Sequence, residues 1–241
     1  MFKKNCVGLL LSMCLLGLSG VAVGQDEQDV GDLASFGKEA KFFGYAIAGT
    51  VLVHPDCSNL GFPLGPDDRC FTINAATNSV TFDARDIGRI YFPQKTFNTI
   101  ISLLSGFQYT YNLANNTAQN VTGRVEYRPY FTLESGVLSD PSLINPQTGQ
   151  PFNGKVDIGA AGSRILRKTM FPGFQESDSI NYGSSSVTGL TKKYFMENFG
   201  LSQQVVDLLF YEKMTIRLNI RGTTTRVVQG NFNYSVRFIG N

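Results

Sequence analysis

The chain has 241 residues, of which 42% are hydrophobic and 17% are charged, so it is long enough to bury a full hydrophobic core. Its 21 basic residues are nearly balanced by 19 acidic residues, which gives no electrostatic case for nucleic acid, a ligand that binds clustered positive charge. We therefore expect a globular protein that does not bind nucleic acid.

Residues 1–24 have the pattern of a secretory signal peptide. Lys3 and Lys4 precede an uncharged, largely apolar run that closes on Ala22-Val23-Gly24, with small residues at the first and third positions of that triplet. An uncleaved membrane anchor is the alternative, but Gly and Ser interrupt the run and acidic residues follow at once. Cleavage removes two of the 21 basic residues, which leaves 19 against 19 acidic ones. We expect a secreted, periplasmic or cell-surface protein.

The leader and the first alternating run follow the signal peptide. Residues 25–41 are polar and acidic without a sustained period, which is typical of a flexible leader ahead of a single domain at 42–241. From Phe42 to Val53 apolar residues alternate with Gly and Ala, so side chains such as Tyr45 and Ile47 should share one face of a strand. The small residues opposite predict close packing and an interior strand.

Cysteine usage agrees with export. Cys6 and Cys14 leave with the signal peptide, whereas Cys57 and Cys70 remain and bracket a loop rich in Gly, Pro and Asp. In an oxidising compartment such a pair is most often a disulfide, and two free buried thiols are the alternative. We predict a Cys57–Cys70 bridge.

Two segments have helical rather than alternating periodicity. From Pro93 to Gly106, apolar residues recur three and four positions apart, which predicts a short amphipathic helix. Thr191 to Glu212 has the same period, with Gly200 as a break and Ser202 as a second cap. These segments are the two helical insertions of the predicted fold.

The remaining runs alternate and predict strands. They are 107–113, 121–133, short strands at 155–158 and 164–170, and the runs 214–220 and 232–238 near the C-terminus. The last two should form an antiparallel hairpin across the break at 222–225, and the irregular region 134–190 is a candidate for binding loops. The predicted fold is an all-β antiparallel sandwich of about eight or nine strands.

The inventory of catalytic groups is nearly empty. A single histidine, His54, excludes a multi-histidine zinc site, and no serine elbow, phosphate loop or dinucleotide motif is present. We therefore predict no catalytic residue, no metal and no cofactor. Acidic pairs such as Asp83 with Asp86, or Glu176 with Asp178, leave a glycoside-cleaving enzyme as an alternative.

Two groups of residues are candidates for binding. Arg217, Arg221 and Arg237 should share the polar face of the terminal hairpin, near Arg124 and Arg128, where they would bind an anionic glycan or a lipid headgroup. A solvated face that prevents pairing between sheet edges is the alternative. The rings of Tyr109 and Tyr111 offer surfaces for sugar stacking, unless the alternation places them in the core.

Compartment and composition together predict an exported, non-catalytic surface or periplasmic module. It would bind a protein or glycan partner at the cell surface or assemble as a homo-oligomer, without a transmembrane helix once the signal is removed. Two alternatives remain. One is a small outer-membrane β-barrel, whose strands alternate in the same way, and the other is a carbohydrate-active enzyme that uses a carboxylate pair.

Overall fold

The computed structural model describes residues 41–241 apart from residues 96, 161 and 183–185. The predicted signal peptide, 1–24, and all but the last residue of the predicted leader lie outside the described residues. The strands are β1 (Lys41–Ile47), β2 (Val51–His54), β3 (Arg69–Thr72), β4 (Ser79–Ala84), β5 (Arg89–Phe92), β6 (Thr99–Ala114), β7 (Val121–Ser135), β8 (Ile144–Asn145), β9 (Gln150–Pro151), β10 (Lys155–Gly159), β11 (Arg164–Met170), β12 (Gln175–Tyr182), β13 (Ser186–Thr191), β14 (Met214–Thr225) and β15 (Val227–Gly240). The helices are α1 (Lys192–Phe199) and α2 (Gln203–Leu209), and a 3-10 turn spans Gly136–Ser139.

Two sheets pack face to face, which confirms the all-β sandwich. Within the described residues, sheet I has seven strands in the order β12-β6-β15-β2-β3, with β13 also on β6 and β1 also on β15. Sheet II has six strands in the same part of the chain, in the order β10-β7-β14-β4, with β11 also on β7 and β5 also on β14. Strands are more numerous than the expected eight or nine because four positions beside the long strands are each filled by two short strands in succession. Strands β8 and β9 form a separate ribbon.

The long strands β14 and β15 have the alternation that the sequence predicts, but they belong to different sheets. Strand β14 pairs with β7, β4 and β5, whereas β15 pairs with β6, β1 and β2. The predicted hairpin is therefore wrong. The chain turns between the sheets at Arg226, which has a left-handed φ of 62°, and the expected break at 222–225 is the end of β14.

The core lies between the sheets and is rich in aromatic rings. Phe107 of sheet I stacks on Tyr127 of sheet II with 4.3 Å between ring centroids. The hydroxyl of Tyr234 in sheet I donates a hydrogen bond to the carbonyl oxygen of Asn219 in sheet II, at 2.7 Å. Burial of such large apolar side chains supplies most of the driving force for the sandwich.

The small residues of the first alternating run are closely packed, as predicted, but the apolar residues of the run do not share one face. Ala46 is buried with Val51 and Val53, whereas Tyr45 and Ile47 are 49% and 62% exposed. The run breaks between β1 and β2 at residues 48–50, and a shift of one residue moves every side chain to the other face of a strand. Strand β2 is interior, between β15 and β3, but within the described residues β1 pairs with β15 alone.

The helix predicted at Pro93 to Gly106 is wrong, because residues 99–114 form β6, a strand of 16 residues. Ile100 faces the core, and Ile101 on the other face is only 6% exposed, so apolar residues on both faces of the strand imitate a helical period. Pairing with β13 and β15 along the whole length of β6 overrides the local pattern.

The second helical segment is confirmed, and it supplies both helices. The side chain of Thr191 accepts a hydrogen bond from the backbone N–H of Tyr194 and caps α1, which ends at Gly200 with a φ of 65°. The side chain of Ser202 accepts one from Val205 and caps α2. Neither helix in the described part of the chain is long or apolar enough to cross a bilayer.

Candidate binding face

The outer face of sheet II carries rows of charged side chains. In β7 the core takes Val125, Tyr127, Phe131 and Leu133, so the residues between them point away from the core. The same alternation applies in β14. We call this surface the charged face; its principal side chains are those of Arg124, Glu126, Arg128, Tyr130, Glu134, Thr215, Arg217, Arg221 and Thr223.

Four arginines at one end of the charged face stand in two opposed pairs. Arg128 of β7 is opposite Arg221 of β14, and Arg124 of β7 is opposite Arg167 of β11. Like charges directly opposite one another on a sheet are destabilising. Two carboxylates lie beside them. Asp83 of β4 is opposite Arg221, and Glu126 accepts hydrogen bonds from Arg128, at 2.7 Å, and from Arg124. These bonds lower the pKa of Glu126 below its usual range. We call the four arginines the arginine cluster.

The cluster retains unused capacity to donate hydrogen bonds. Within the described part of the chain, Arg167 and Arg221 make no ion pair. The Nε atom of Arg124 is buried and has no hydrogen-bond partner in that part. Two neighbouring carboxylates, Glu126 and Asp83, for four guanidinium groups leave this end of the charged face positive, and Asp83 is itself paired with Arg85.

A groove of about 410 Å³ lies beside Arg128 and Arg221. The groove is also lined by the carboxylates of Asp83 and Glu126 and by Thr81 and Thr223. The hydroxyl groups of the two threonines lie 3.1 Å apart. Its floor is at Gly222, where a Cβ atom would lie 2.4 Å from the carbonyl oxygen of Glu126 and 2.7 Å from the ring of Phe82. Only glycine fits there, because any side chain would strike the backbone of the neighbouring strand.

Tyr130 connects the groove to the middle of the charged face. Its ring lies under the guanidinium of Arg221 at 5.3 Å and under that of Arg85 at 5.5 Å, distances typical of cation–π contacts. Its hydroxyl donates a hydrogen bond to Asp83, which also pairs with Arg85 at 2.8 Å. Burial and the neighbouring Asp83 raise the pKa of Tyr130. The contacts hold Arg221 in place and leave its guanidinium free to bind.

The middle of the charged face is electrically paired. Arg217 contacts Asp86 at 2.5 Å and Glu134 at 2.8 Å, and Arg89 contacts Asp86 at 3.1 Å. The backbone N–H of Asp86 donates to the side-chain oxygen of Asn219 at 2.8 Å. Hydrogen bonds to Asp86 and Glu134 raise the pKa of Arg217. Arg217 is therefore a structural residue.

A larger groove of about 750 Å³ lies at the other end of β7 and β14. Its walls include Tyr91, Glu134, Lys155, Lys213 and Thr215. The charged face thus has a groove at each end, separated by the paired residues around Asp86.

The predicted binding residues are only partly brought together. Arg221 and Arg217 lie on the charged face, next to the strand that carries Arg124 and Arg128, as expected. Arg237 does not, because β15 belongs to sheet I, where its guanidinium lies 5.8 Å from the ring centroid of Phe42. The shared patch of three arginines is therefore wrong.

The tyrosines proposed for sugar stacking are in the core, which is the alternative that the alternation left open. Tyr109 is 1% exposed and Tyr111 is 3% exposed, and their rings stack at 5.0 Å. Sequence reasoning missed Tyr91 and Arg167. Arg167 alternates with Leu166 and Lys168 in a strand that was predicted, so its outward position was available from the pattern.

The acidic pairs are engaged by structural partners. Glu176 and Asp178 both accept hydrogen bonds from the hydroxyl of Tyr111, at 3.3 and 3.4 Å. Glu176 of sheet I also forms an ion pair with Lys168 of sheet II. This ion pair joins the two sheets at their open edge. Asp83 and Asp86 pair with arginines, as described above. Among the residues that the structure describes, no group of three or more His, Cys, Asp or Glu side chains is placed to bind a metal ion.

The predicted bridge is present, with Cys57 and Cys70 joined and their Cα atoms 5.7 Å apart. The chain matches no protein-family model, no curated protein and no solved structure.

Proposed function

We propose that the mature chain is an exported, non-catalytic module that binds an acidic glycan through the arginine cluster. The observation that carries the proposal is the register of sheet II, which sets Arg128 opposite Arg221 and Arg124 opposite Arg167, with the carboxylates of Glu126 and Asp83 beside them. Like charges directly opposite one another destabilise a sheet, and at both of these pairs arginine stands opposite arginine. An anionic ligand relieves the repulsion, so the unfavourable contacts have a reason to persist.

The chemistry of the side chains favours carboxylate or sulfate groups on a sugar. Guanidinium groups present a planar set of donors that matches these anions in a bidentate manner. The hydroxyl groups of Thr81 and Thr223 line the same groove and can exchange hydrogen bonds with sugar hydroxyls. Both features suit a saccharide that carries negative charge.

The alternative role, protection of sheet edges, accounts for Arg167 alone, because within the described residues β11 pairs only with β7 and lies at the edge of sheet II. It does not account for the other three arginines of the cluster. Arg124 and Arg128 belong to β7, which has neighbours on both sides, and Arg221 belongs to β14, which also has neighbours on both sides. Charges that prevent pairing are needed on edge strands. Central strands have no unpaired backbone to protect.

Export is supported by the signal-like run at 1–24 and by the Cys57–Cys70 bridge, since disulfides persist in oxidising compartments. Acidic polysaccharides of a cell surface are ligands that an exported module would meet there.

Retention on immobilised polysaccharides tests the proposal. We expect the mature protein to bind polygalacturonate or heparin but not neutral dextran, with a loss of binding as salt is added. The double variant Arg128→Gln/Arg221→Gln should lose retention. The double variant Lys193→Gln/Arg237→Gln removes the same charge elsewhere and should keep it.

Three outcomes would overturn the proposal: no retention on either acidic polymer, equal retention on dextran, or equal retention of the two double variants. Preferential binding to phosphatidylglycerol vesicles over both acidic polymers would assign the cluster to lipid headgroups instead.

Self-association through sheet I is a second candidate. Phe42 and Ile47 of β1 are 63% and 62% exposed on the outer face, with Tyr45 between them. Large exposed apolar side chains from one strand are typical of contact surfaces between proteins. Sedimentation equilibrium of the mature protein and of Ile47→Lys tests this candidate, with Ile165→Lys, on the other sheet, as the control.

A further inference from the structure

We infer that the groove beside Tyr91 is a second subsite for the same acidic glycan, and that one polymer chain lies across both grooves of the charged face. This inference rests on the proposed function and names the form of its ligand, an extended acidic polysaccharide.

A row of four side chains crosses sheet II at this groove. Lys155 of β10 is opposite Glu134, Glu134 is opposite Thr215, and Thr215 is opposite Tyr91 of β5. Tyr91 is 68% exposed, which leaves most of its ring free above the groove. An exposed tyrosine supplies a large rigid contact surface at a low cost in conformational entropy.

The charges around the groove favour an anion. Within the described residues, Lys155 and Lys213 make no ion pair. The carboxylate of Glu134 lies in the same groove, but the guanidinium of Arg217 binds it at 2.8 Å. Two free ammonium groups beside a flat ring complement a sugar that carries a carboxylate or sulfate group.

The spacing of the two grooves requires an extended ligand. Both grooves touch β14, one at Thr215 and the other at Thr223. Eight residues of a strand, at about 3.3 Å each, place the grooves roughly 26 Å apart. The paired residues around Asp86 form a nearly neutral bridge between the two positive ends. A short oligosaccharide therefore occupies one groove, and a long one occupies both.

Occupation of two linked subsites raises affinity without new contacts at either one. The second contact becomes intramolecular, so affinity rises steeply once the ligand is long enough to span the distance. The dependence of affinity on ligand length is the signature of this arrangement.

Titration calorimetry of the mature protein with galacturonate and heparin oligosaccharides of graded length tests the inference. For wild type we expect affinity to rise by roughly a hundredfold when the ligand becomes long enough to span both grooves. Tyr91→Ala and Lys155→Gln/Lys213→Gln should remove this rise and leave the affinity for the shortest ligands that bind the arginine cluster unchanged. Tyr45→Ala, which truncates an exposed tyrosine of sheet I, should behave as wild type.

The outcomes separate the two proposals. Loss of binding in Arg128→Gln/Arg221→Gln, with an unchanged length dependence in the Tyr91 and lysine variants, would overturn the second subsite and leave the proposed function standing. Unchanged binding in Arg128→Gln/Arg221→Gln would overturn the proposed function. No binding of either series to wild type at any length would overturn both.

Discussion

Arg167 of β11 lies directly opposite Arg124 of β7 in the register of sheet II, so two positively charged side chains start from neighbouring positions on its outer face. Arg124 has Glu126 as a partner, whereas Arg167 has no ion pair among the described residues. Two like charges at opposite positions are unfavourable for folding and useful for anion binding, and substitution of Arg167 separates the two effects.

We expect Arg167→Gln to raise the free energy of unfolding by roughly 0.2–1 kcal/mol, the usual range for cross-strand pairs. The same variant should bind acidic polymers less tightly. Urea unfolding at low and high salt measures the first effect, and the gain should shrink with salt because exposed charges are screened. Lys193→Gln is the control for the loss of one charge, and lower stability of Arg167→Gln would contradict the interpretation.

Two buried tyrosines offer a matched test of hydrogen bonding in the core. The hydroxyl of Tyr109 is buried and has no hydrogen-bond partner within the described part of the chain, whereas that of Tyr234 donates to Asn219 across the sandwich. Tyr109→Phe should raise the free energy of unfolding by about 1 kcal/mol or more, because it removes an unsatisfied polar group. Tyr234→Phe should lower it by about the same amount. Denaturant unfolding measures both, and changes of equal sign would refute the assignment.

The disulfide should contribute measurably to stability. Cys57 and Cys70 are 13 positions apart, and closure of a loop of this size contributes about 3 kcal/mol in the chain-entropy model. We expect Cys57→Ala/Cys70→Ala to lower the free energy of unfolding by about 3 kcal/mol. Reduction of wild type with dithiothreitol should reproduce the loss, and the variant should not respond to the reductant. Equal stability with and without the bridge would show that the loop is already constrained.

In the long strands β14 and β15, the alternation of polar and apolar residues correctly predicts which face is buried. It does not predict which strands are hydrogen-bonded to them. In β14 and β15 each apolar residue of the predicted core face is buried, because one side of each strand packs against the other sheet. The same pattern does not indicate which strands pair. The predicted hairpin of β14 and β15 is wrong because the turn at Arg226 places the two strands in different sheets. Strand pairing depends on contacts between residues far apart in the chain, and a two-residue alternation within one strand carries no information about them.

The predicted secondary structure and facing are wrong where a strand has apolar residues on both faces or where a break interrupts the alternating run. In β6, Ile100 and Ile101 are both buried, and the resulting run has the spacing of a helix. The helices α1 and α2 were predicted because Thr191, Ser202 and Gly200 act locally, through caps that involve residues only a few positions away.

The candidate site was predicted in part for the same reason. The outward positions of Arg221 and Arg128 follow from the alternation, and their proximity follows from the predicted adjacency of the two strands. Tyr91 was missed because it lies in a short strand between Ile90 and Phe92, where three consecutive apolar residues do not reveal which one faces water. Its exposure follows from the pairing of β5 with β14, a contact between residues far apart in the chain.

Alkaline pH should destabilise the protein through its buried tyrosines. Burial raises the pKa of Tyr109, and burial together with the carboxylates of Asp178 and Glu176 raises that of Tyr111. Burial and Asp83 do the same for Tyr130. The folded state therefore holds protons that the unfolded state releases above pH ~10, the ordinary tyrosine value. Below that pH these tyrosines should not change the free energy of unfolding. Above it, the free energy of unfolding should fall by up to about 1.4 kcal/mol per pH unit for each of these tyrosines.

Urea unfolding across this pH range, combined with phenolate absorbance, measures the effect. Part of the absorbance change should coincide with unfolding. Full ionisation of all tyrosines in a protein that remains folded would contradict the burial.

Asp86 links the stability of the charged face to its affinity for ligand. The residue has a left-handed φ of 51° and its carboxylate binds Arg217 and Arg89, so it neutralises the bridge between the two grooves. Asp86→Asn keeps a residue that tolerates this φ and removes the charge. We expect the free energy of unfolding to fall by about 1–2 kcal/mol, between the values for exposed and buried ion pairs. Asp86→Ala should cost more, because alanine is strained in the left-handed region.

The affinity of Asp86→Asn for a long acidic polymer should rise instead, by about fivefold. Removal of one negative charge within contact distance of an anion is worth about 1 kcal/mol even at the dielectric constant of water. Paired urea unfolding and calorimetry on the same preparations measure the two opposite changes. Unchanged affinity would mean that the polymer does not pass over Asp86, and a fall in affinity would mean that the fixed position of Arg217, rather than its charge, is what the ligand requires.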